Sequence, residues 1–521
     1  MVFKEIATSL VAFIIYKKVK SYLEWRALRR WGEQFGCADV SVVPNKLPGG
    51  IERYSFLFMD LKSIDFLEVV IRKRFENSGY TRRIINFHSS IISTCEPKNI
   101  QAILATQFHD FDLGSSWKEN LADLIGNGIF TAEGQQWIHF RQQLKPQFTR
   151  DQVSDLESAE RHIQVLWRAL PTENASGWVE GVDIMPLLSR FTMDVSTEFL
   201  FGQSVNSQSN ALHAIDSGNT TDSQREMDFA EAMHTAQEMI IYRLRLKGLY
   251  WLVSPKKFKQ ACKTVKDFTD RCVQKALDQE NKHAAHIAGE KKKYVLLEEL
   301  AAETKDPVEL RDQALHLLLA GRDTTSALLS WAITMLSRHP QEFQKLRQSI
   351  ISQFGTADLP TEELTFASLK SCKDLVQFLH ETLRLYPIVP MNCRRAIRNT
   401  TLPLGGGPTG QLPIAVKRGE SVGYSTYAMH RRHDIWGADA DEFRSSRWEG
   451  RKLGWEFIPF SGGPRVCIGQ QYALNEASFV IVKLLQRYDT IEPSDPKEKI
   501  IKGITMTMCP GNGVNVKMHR A

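Results

Sequence analysis

No two of the eight cysteines stand in a C-x-x-C pair, which removes zinc-ribbon and thioredoxin-like sites. A chain of 521 residues has no need of disulfide staples, so the scattered cysteines read as reduced thiols in a cytosol-facing protein. Nowhere near the N-terminus does an apolar run reach the ~20 residues of a spanning helix. The run over residues 6–16 is shorter, and extending it back to Val2 takes in Lys4 and Glu5. Neither an internal repeat of fixed period nor a low-complexity tract is present, so solenoid and disordered classes drop out. The formal net charge is +6, yet no helix or strand pattern carries a dense Lys/Arg stripe, so nucleic acid is excluded as a partner. The mild basic excess suits an anionic membrane surface or an acidic partner protein instead.

Hydrophobic residues make up 42% of the chain and charged residues 24%, the balance of a globular protein with a sizeable core. The apolar run 6–16 is followed by Lys17, Lys18, Lys20, Arg26, Arg29 and Arg30. That order predicts an uncleaved membrane anchor over residues 1–43, spanning or interfacial, with the downstream chain on the cytosolic side. An ordinary amphipathic helix is the alternative. Residues 44–50 are dense in proline and glycine and read as a hinge. Residues 204–223, rich in Ser, Asn and Asp, read as a surface loop, and Lys291, Lys292 and Lys293 as a solvated turn. An unusually long helix starts at Asp306-Pro307, with a cap candidate and a first-turn proline, and stops near His339-Pro340. Its stripe is Leu310, Ala314, Leu317/Leu318, Gly321, Thr324 and Leu328. Strand-like pieces at 421–425 and 514–517 come late, so the expectation is a mainly helical domain with small sheets.

The most informative segment is Phe460-Ser-Gly-Gly-Pro-Arg-Val-Cys467-Ile-Gly469. Gly462, Gly463 and Pro464 forbid regular structure and let backbone approach a flat ligand closely. From Gln470 onwards, Tyr472, Ala473, Leu474, Ala477, Phe479, Val480 and Leu484 describe a buried helix. A cysteine at a helix N-terminus beside Arg465 has its thiolate favoured by dipole and charge, and a thiolate is a strong iron ligand. A lone cysteine is more often a buried structural residue. Nothing structural, however, needs Phe460, Gly463, Arg465, Cys467 and Gly469 in that register.

This F-x-x-G-x-R-x-C-x-G segment resembles the haem loop of the cytochrome P450 family, and the resemblance extends over nearly all of the chain after the hinge. Glu381 and Arg384 match the family's E-x-x-R. Alone, an acid and an arginine three apart are ordinarily a surface salt bridge. Arg447 stands where the family supplies the third member of a buried triad, and Ser445 replaces the proline usual in that stretch, a departure expected to loosen the turn. Residues 320–325, A-G-R-D-T-T, resemble the oxygen-activation motif. There Gly321 would leave room for a diatomic ligand, and Asp323 and Thr324 would form an acid–alcohol pair. A mid-helix threonine can also simply bond its own helix carbonyl. Trp137 and Arg141 match W-x-x-x-R and suit a haem propionate. Arg394, with Arg395 as a rival, and Arg465 would serve the propionates too. Stretches 128–134, 310–314, 402–408, 427–432 and 434–437 are most similar to the fungal membrane-bound branch resembling the n-alkane and fatty-acid hydroxylases.

The resemblance implies a single large α+β domain, mainly α with small β-sheets, over residues 51–521. It implies haem b (iron protoporphyrin IX) between the long helix and the Cys-loop helix, with Cys467 as the axial iron ligand and O2 as co-substrate. One oxygen atom would be inserted into an unactivated C–H bond of a hydrophobic small molecule. Electrons would come from NADPH through a separate NADPH–cytochrome reductase, with cytochrome b5 as a further donor to consider. Phe130, Leu318, Val389 and Thr505 would line the distal pocket, although each also makes a good core residue. Residues 242–251, basic and aromatic, suit either a membrane contact near the entrance or a solvated helix face. The implied location is the endoplasmic reticulum membrane, held by the N-terminal anchor against membrane lipid. Rival readings are a monooxygenase of secondary metabolism acting on terpenoid or aromatic substrates, a haem-thiolate isomerase or dehydratase, a non-catalytic haem or lipid-binding protein, and a haem-free protein with a structural Cys467. Retention of Gly321, Asp323 and Thr324 disfavours the isomerase and the non-catalytic protein.

Overall fold

The structure, a computed structural model, describes residues 2–47, 50, 65–76, 79–86, 89–148, 156–213, 221–283 and 294–521. Helices dominate: α1 (Val2–Glu33), α2 (Ser115–Ile125), α3 (Gly134–Leu144), α4 (Ile184–Phe201), α5 (Thr221–Leu246), α6 (Lys256–His283), α7 (Pro307–Arg338), α8 (Pro340–Phe354), α9 (Lys373–Leu385) and α10 (Gln470–Arg487). Among the described residues the largest sheet has six strands, in the order Val42–Val43, Thr81–Asn86, Ser89–Thr94, Ser421–Tyr424, Asn392–Ala396, Phe111–Asp112. A second sheet joins Tyr488–Pro493, Asn515–Arg520 and Trp178–Asp183, and two hairpins complete the β structure. The mainly helical architecture with small sheets is the expected one.

Helix α7 forms where the sequence places it. The Asp306 side chain accepts from Val308 N at 2.9 Å, Pro307 occupies the first turn, and the helix ends at Arg338 before Pro340. It threads two apolar clusters. Leu310 to Leu319 pack with α2, α3, α5 and α6, and from Ala327 onward its residues pack with α4, α8, α9 and α10. Between them, residues 320–324 are only partly buried in an otherwise buried helix, so the core is interrupted at the A-G-R-D-T motif. Trp331 stacks on Tyr386 (centroids 4.0 Å apart) and donates to the Met508 carbonyl at 2.9 Å, which fixes the hairpin Lys502–Ile504/Met508–Pro510 against α7.

The pair Glu381/Arg384 is wholly buried, not a surface salt bridge: both side chains have 0% exposure. Glu381 accepts from Arg384 Nε and Nη2 (2.8 Å each), Arg447 Nε (3.2 Å), Trp448 Nε1 (3.1 Å) and the Arg444 amide (3.0 Å). Arg384 Nη1 in turn donates to the carbonyls of His430 (2.9 Å) and Ala440 (2.6 Å). Ser445 does not leave the turn loose. Its amide and hydroxyl donate to the two oxygens of Glu342 at 3.1 and 2.6 Å, tying the turn to α8.

Two expectations change. The 204–223 stretch is not a plain loop: Ser207–His213 is helical and residues 221–223 open α5, while 214–220 lie outside the described residues. The buried Asp194 carboxylate, 13 residues back, accepts from the Ser207 amide (2.6 Å) and hydroxyl (2.8 Å) and so caps that helix. No helix among the described residues is long and apolar enough to cross a membrane, so a spanning anchor is not seen. Helix α1 instead exposes Ile15, Tyr16, Val19, Tyr22 and Leu23 by more than half, while farther along Leu28 is buried and Glu24 pairs with Lys417. The hinge is described only in part, and Lys291, Lys292 and Lys293 lie outside the described residues.

Replacing Ser445 by the proline that the family resemblance leads one to expect removes both donors to Glu342. Ser445→Pro is expected to cost about 2 kcal/mol, read as a lower thermal midpoint; an unchanged midpoint would show that the two hydrogen bonds contribute nothing net. In α10, burial raises the Glu476 carboxyl from 4.5 to about 8, and neither oxygen has a hydrogen-bond partner. The folded-state value lies above the unfolded one, so the fold holds the protonated acid. Its stabilising contribution is complete below pH 4.5 and is lost as pH rises toward 8. Glu476→Gln, neutral at every pH, is expected to flatten the fall in melting temperature over that window, and parallel curves for the two proteins would refute it.

Candidate active site

Cys467 sits between the 3₁₀ turn Gly463–Arg465 and the start of α10. Gly463 has φ +67°, and a Cβ there would stand 1.9 Å from the Leu104 carbonyl, so only glycine allows the loop to pass this close to its neighbour. The Cys467 amide donates to Phe460 O at 3.0 Å, closing the loop on itself. Burial pushes the Cys467 thiol up, while the Gly469 N–H and the Arg141 charge pull it down. Its side chain nonetheless keeps accessible surface. A cysteine deep among protein atoms with an open face lies on the wall of an internal space. The cation felt by the thiol is Arg141, not the neighbouring Arg465 suggested by sequence spacing.

Arg465 turns away from the cysteine, donating to Ala132 O at 3.0 Å and lying 4.4 Å over the Trp137 ring. Arg141 lies 5.8 Å from the same ring. Burial, then the charge of Arg394, then that of Arg141 depress Arg465 to about 10, with Glu133 and Asp112 opposing. Three guanidinium groups therefore converge, and none forms a carboxylate ion pair among the described residues. Among the described residues the Arg394 side chain donates to Asn392 Oδ1 (3.0 Å) and the Cys393 carbonyl (2.8 Å). Strand alternation settles the choice between neighbours: Arg394 is 6% exposed on the inner face, whereas Arg395 is exposed and turns to the Gly419 carbonyl. The buried Trp137 likewise makes no indole hydrogen bond among the described residues. A flat anionic group carrying two carboxylates, with a metal facing Cys467, fits this donor set.

On α7 the Thr324 hydroxyl donates to its own helix carbonyl at Ala320, 2.6 Å away. Asp323 is not hydrogen-bonded to it. Its Oδ2 accepts from Gln237 Nε2 at 2.6 Å, while Arg322 Nη1 donates to Gln237 Oε1 at 2.9 Å. A Cβ on Gly321 would meet Ser196 Oγ at 3.0 Å, so the glycine admits α4 against α7, a different reason from room for a diatomic ligand.

The expected pocket residues divide. Phe130 and Val389 are 37% and 41% exposed, and Thr505 is partly buried, its hydroxyl donating to Thr507 O at 3.1 Å. Leu318, by contrast, has no exposed surface and belongs to the core between α7 and the helices α2, α3, α5 and α6 that roof it, because its turn of the helix faces that cluster. Sequence reasoning missed Gln237 and His316. His316 Nδ1 accepts from the Phe130 amide (3.1 Å) and its ring stacks on Phe130 at 5.5 Å. Burial lowers its pKa to about 3, so it stays neutral. The only available signal was its place one turn from Asp312 on α7.

The family model of cytochrome P450 matches residues 49–518. The chain is 44% identical over 510 residues to a Fusarium protein named cytochrome P450 monooxygenase g430, covering 97% of this chain and 89% of that one. It is 45% identical to cytochrome P450 52A4 of Candida maltosa (82% and 79% covered) and 44% identical to cytochrome P450 52A1 of Candida tropicalis (82% and 78%). Gly463→Ala is expected to prevent the Cys467 loop from closing on Leu104, at a cost of several kcal/mol from overpacking and backbone strain. Soluble yield and melting temperature check it, and a variant folding like the parent would show that the loop can yield.

Proposed function

The chain belongs to the cytochrome P450 family and is a monooxygenase, and from that premise we propose that it hydroxylates n-alkanes or long-chain fatty acids, at the ω end. The observation that carries the site assignment is the convergence of Arg141, Arg394 and Arg465, without carboxylate partners among the described residues, beside the inward-open Cys467. The substrate class rests on the branch that the motif stretches resemble. Two relatives in the 52A series, at 44–45% identity, are compatible with it.

Cys467 would hold the haem iron, and Arg141, Arg394, Arg465 and Trp137 would hold the propionates. Phe460, Gly463 and Gly469 would shape the loop around the thiolate. When bound, the haem supplies dioxygen activation and insertion of one atom into a C–H bond. Thr324 would hold a proton at Oγ1 above the site, and Asp323 would replenish it from outside. The Gly469 N–H steadies the thiolate, and Glu381, Arg384 and Arg447 keep its loop in place. Phe130, Val389 and Thr505 would orient an alkyl chain and exclude water. Electrons would arrive from NADPH through a separate reductase, with cytochrome b5 as a further donor. Residues 1–43 would lie against the endoplasmic reticulum membrane through the exposed face of α1, joined through residues 44–50 to the catalytic domain 51–521 facing the cytosol. A second reading, oxidation of a terpenoid or aromatic secondary metabolite, is favoured by the match over 97% of the chain to the Fusarium monooxygenase, whose name specifies no alkyl substrate.

The test offers haem-loaded protein, reductase and NADPH a graded series of alkanes and fatty acids. Hydroxylated alkyl products are expected. Thr324→Ala should keep NADPH consumption but lower product by ~10-fold or more, with peroxide released instead. Oxygenation of terpenoid or aromatic probes alone would transfer the assignment to the second reading.

A further inference from the structure

The acid of the A-G-R-D-T motif is held by a residue from another helix. Gln237 lies on α5 and is 6% exposed. Its carboxamide accepts from Arg322 Nη1 (2.9 Å) and donates to Asp323 Oδ2 (2.6 Å). Only one orientation of the amide satisfies both neighbours, oxygen toward the guanidinium and nitrogen toward the carboxylate. Arg322 and Asp323 are adjacent on α7, and Arg322 Nε forms only a loose ion pair with Asp323 Oδ1, at 3.6 Å and without a hydrogen bond. Gln237 thus replaces the direct arginine–carboxylate fork that would occupy both oxygens. One oxygen of Asp323 is fixed, and Oδ1 makes no hydrogen bond among the described residues.

Helix α5 packs mainly along α6 and α2 and reaches the motif on α7 through this side chain. Met233, Ala236 and Ile240 on the same helix are fully or nearly fully buried in the apolar cluster, so the position of Gln237 follows the position of the roof.

We propose that Gln237 is a positioning residue for proton delivery: its amide sets the Asp323 carboxylate with Oδ1 available to Thr324 or water, and so couples placement of the roof helix α5 to the acid on α7. This rests on the monooxygenase reading and adds a residue outside the motif to it. Without the amide, Arg322 and Asp323 close on each other and both carboxylate oxygens are taken. With a carboxylate at 237, Arg322 is captured and Asp323 is repelled.

The test uses the full chain loaded with haem, with Gln237→Leu and Gln237→Glu compared against the parent, and dodecanoic acid and hexadecane as probes. Gln237→Leu is expected to lower product per NADPH ~5- to 10-fold, with peroxide making up the difference and KM within ~2-fold, the signature of a lost proton-transfer interaction. Gln237→Glu should lower coupling further than Gln237→Leu, because the added carboxylate captures Arg322 and repels Asp323. A second readout needs no turnover. Melting temperatures of Gln237→Leu, Asp323→Ala and the double variant should be non-additive, the double variant losing no more than the worse single one. Additive losses, or parental coupling in Gln237→Leu, would overturn the proposal. A parent that oxygenates neither probe would count against the alkyl-chain reading alone, and the melting cycle would still decide whether Gln237 holds Asp323.

Discussion

A carboxylate with no exposed surface must have its charge answered by donors from the protein itself, and Glu381 receives five hydrogen bonds from Arg384, Arg447, Trp448 and the Arg444 amide. Breaking one member of such a set costs more than the same bond would at the surface, since the remaining charge stays buried. The consequence travels toward the cysteine. Arg384 pins the His430 and Ala440 carbonyls, and the His430 ring links the Arg384 carbonyl (3.1 Å, at Nδ1) to the Ile458 amide (3.2 Å, at Nε2). Burial and the Arg384 charge keep that ring neutral, so one nitrogen donates while the other accepts. Ile458 begins the turn into Ser461 and the Cys467 loop. The geometry of the Cys467 loop is therefore tied to an ion network centred on Glu381 and Arg384, about 80 residues earlier in the chain.

What was legible in the sequence was what is decided locally. Asp306-Pro307 carries its own cap and appears where expected, whereas the close approach that Gly463 allows is to the Leu104 carbonyl, within a 3₁₀ turn, rather than to a flat ligand. Glu381 and Arg384 were legible as a pair, and their burial only through the resemblance that adds Arg447, because Arg447 and Trp448 come from another segment. Arg394 and Arg395 could not be separated without the strand's facing, which the register with Ser421–Tyr424 supplies. Leu318 failed as a pocket residue for a similar reason. A helical stripe states which residues share a face, not which neighbour that face meets. Asp194 capping Ser207–His213 and Gln237 holding Asp323 are polar contacts across 13 and 86 residues, and no spacing rule announces them.

The two sides of the site are built differently. On the Cys467 side, α9 and α10 share one apolar cluster and α9 carries the ion network with Arg447 and Trp448, so the loop has little freedom. On the other side, α2, α3, α5 and α6 share a second apolar cluster with α7, and individual polar contacts are added to it. His316 holds the Phe130 turn, Gln237 ties α5 to Asp323, and the buried Arg243 of α5 lies 2.6 Å from Asp123 of α2 between the rings of Tyr250 and Phe258. Contacts of this kind can be exchanged one at a time at a cost of one to a few kcal/mol, whereas a packed core shifts only as a whole.

The arginines bring these halves together. Arg141 comes from α3, Arg394 from the large sheet and Arg465 from the Cys loop, so three separately folded segments each deliver one positive charge to the same place. Arg394 and Arg141 both depress Arg465, which means that the arrangement opposes itself electrostatically. Like charges converge in a protein interior only where an anion repays the repulsion. Two carboxylates on one rigid plane would do so for all three segments at once, and they would stabilise only the folded arrangement that brings the cations together. The same plane would then be fixed relative to Cys467 by charge alone, before any bond to the thiolate is considered. Placement of the reactive centre and stability of the fold are on this argument one constraint, enforced from α3, the sheet and the loop together.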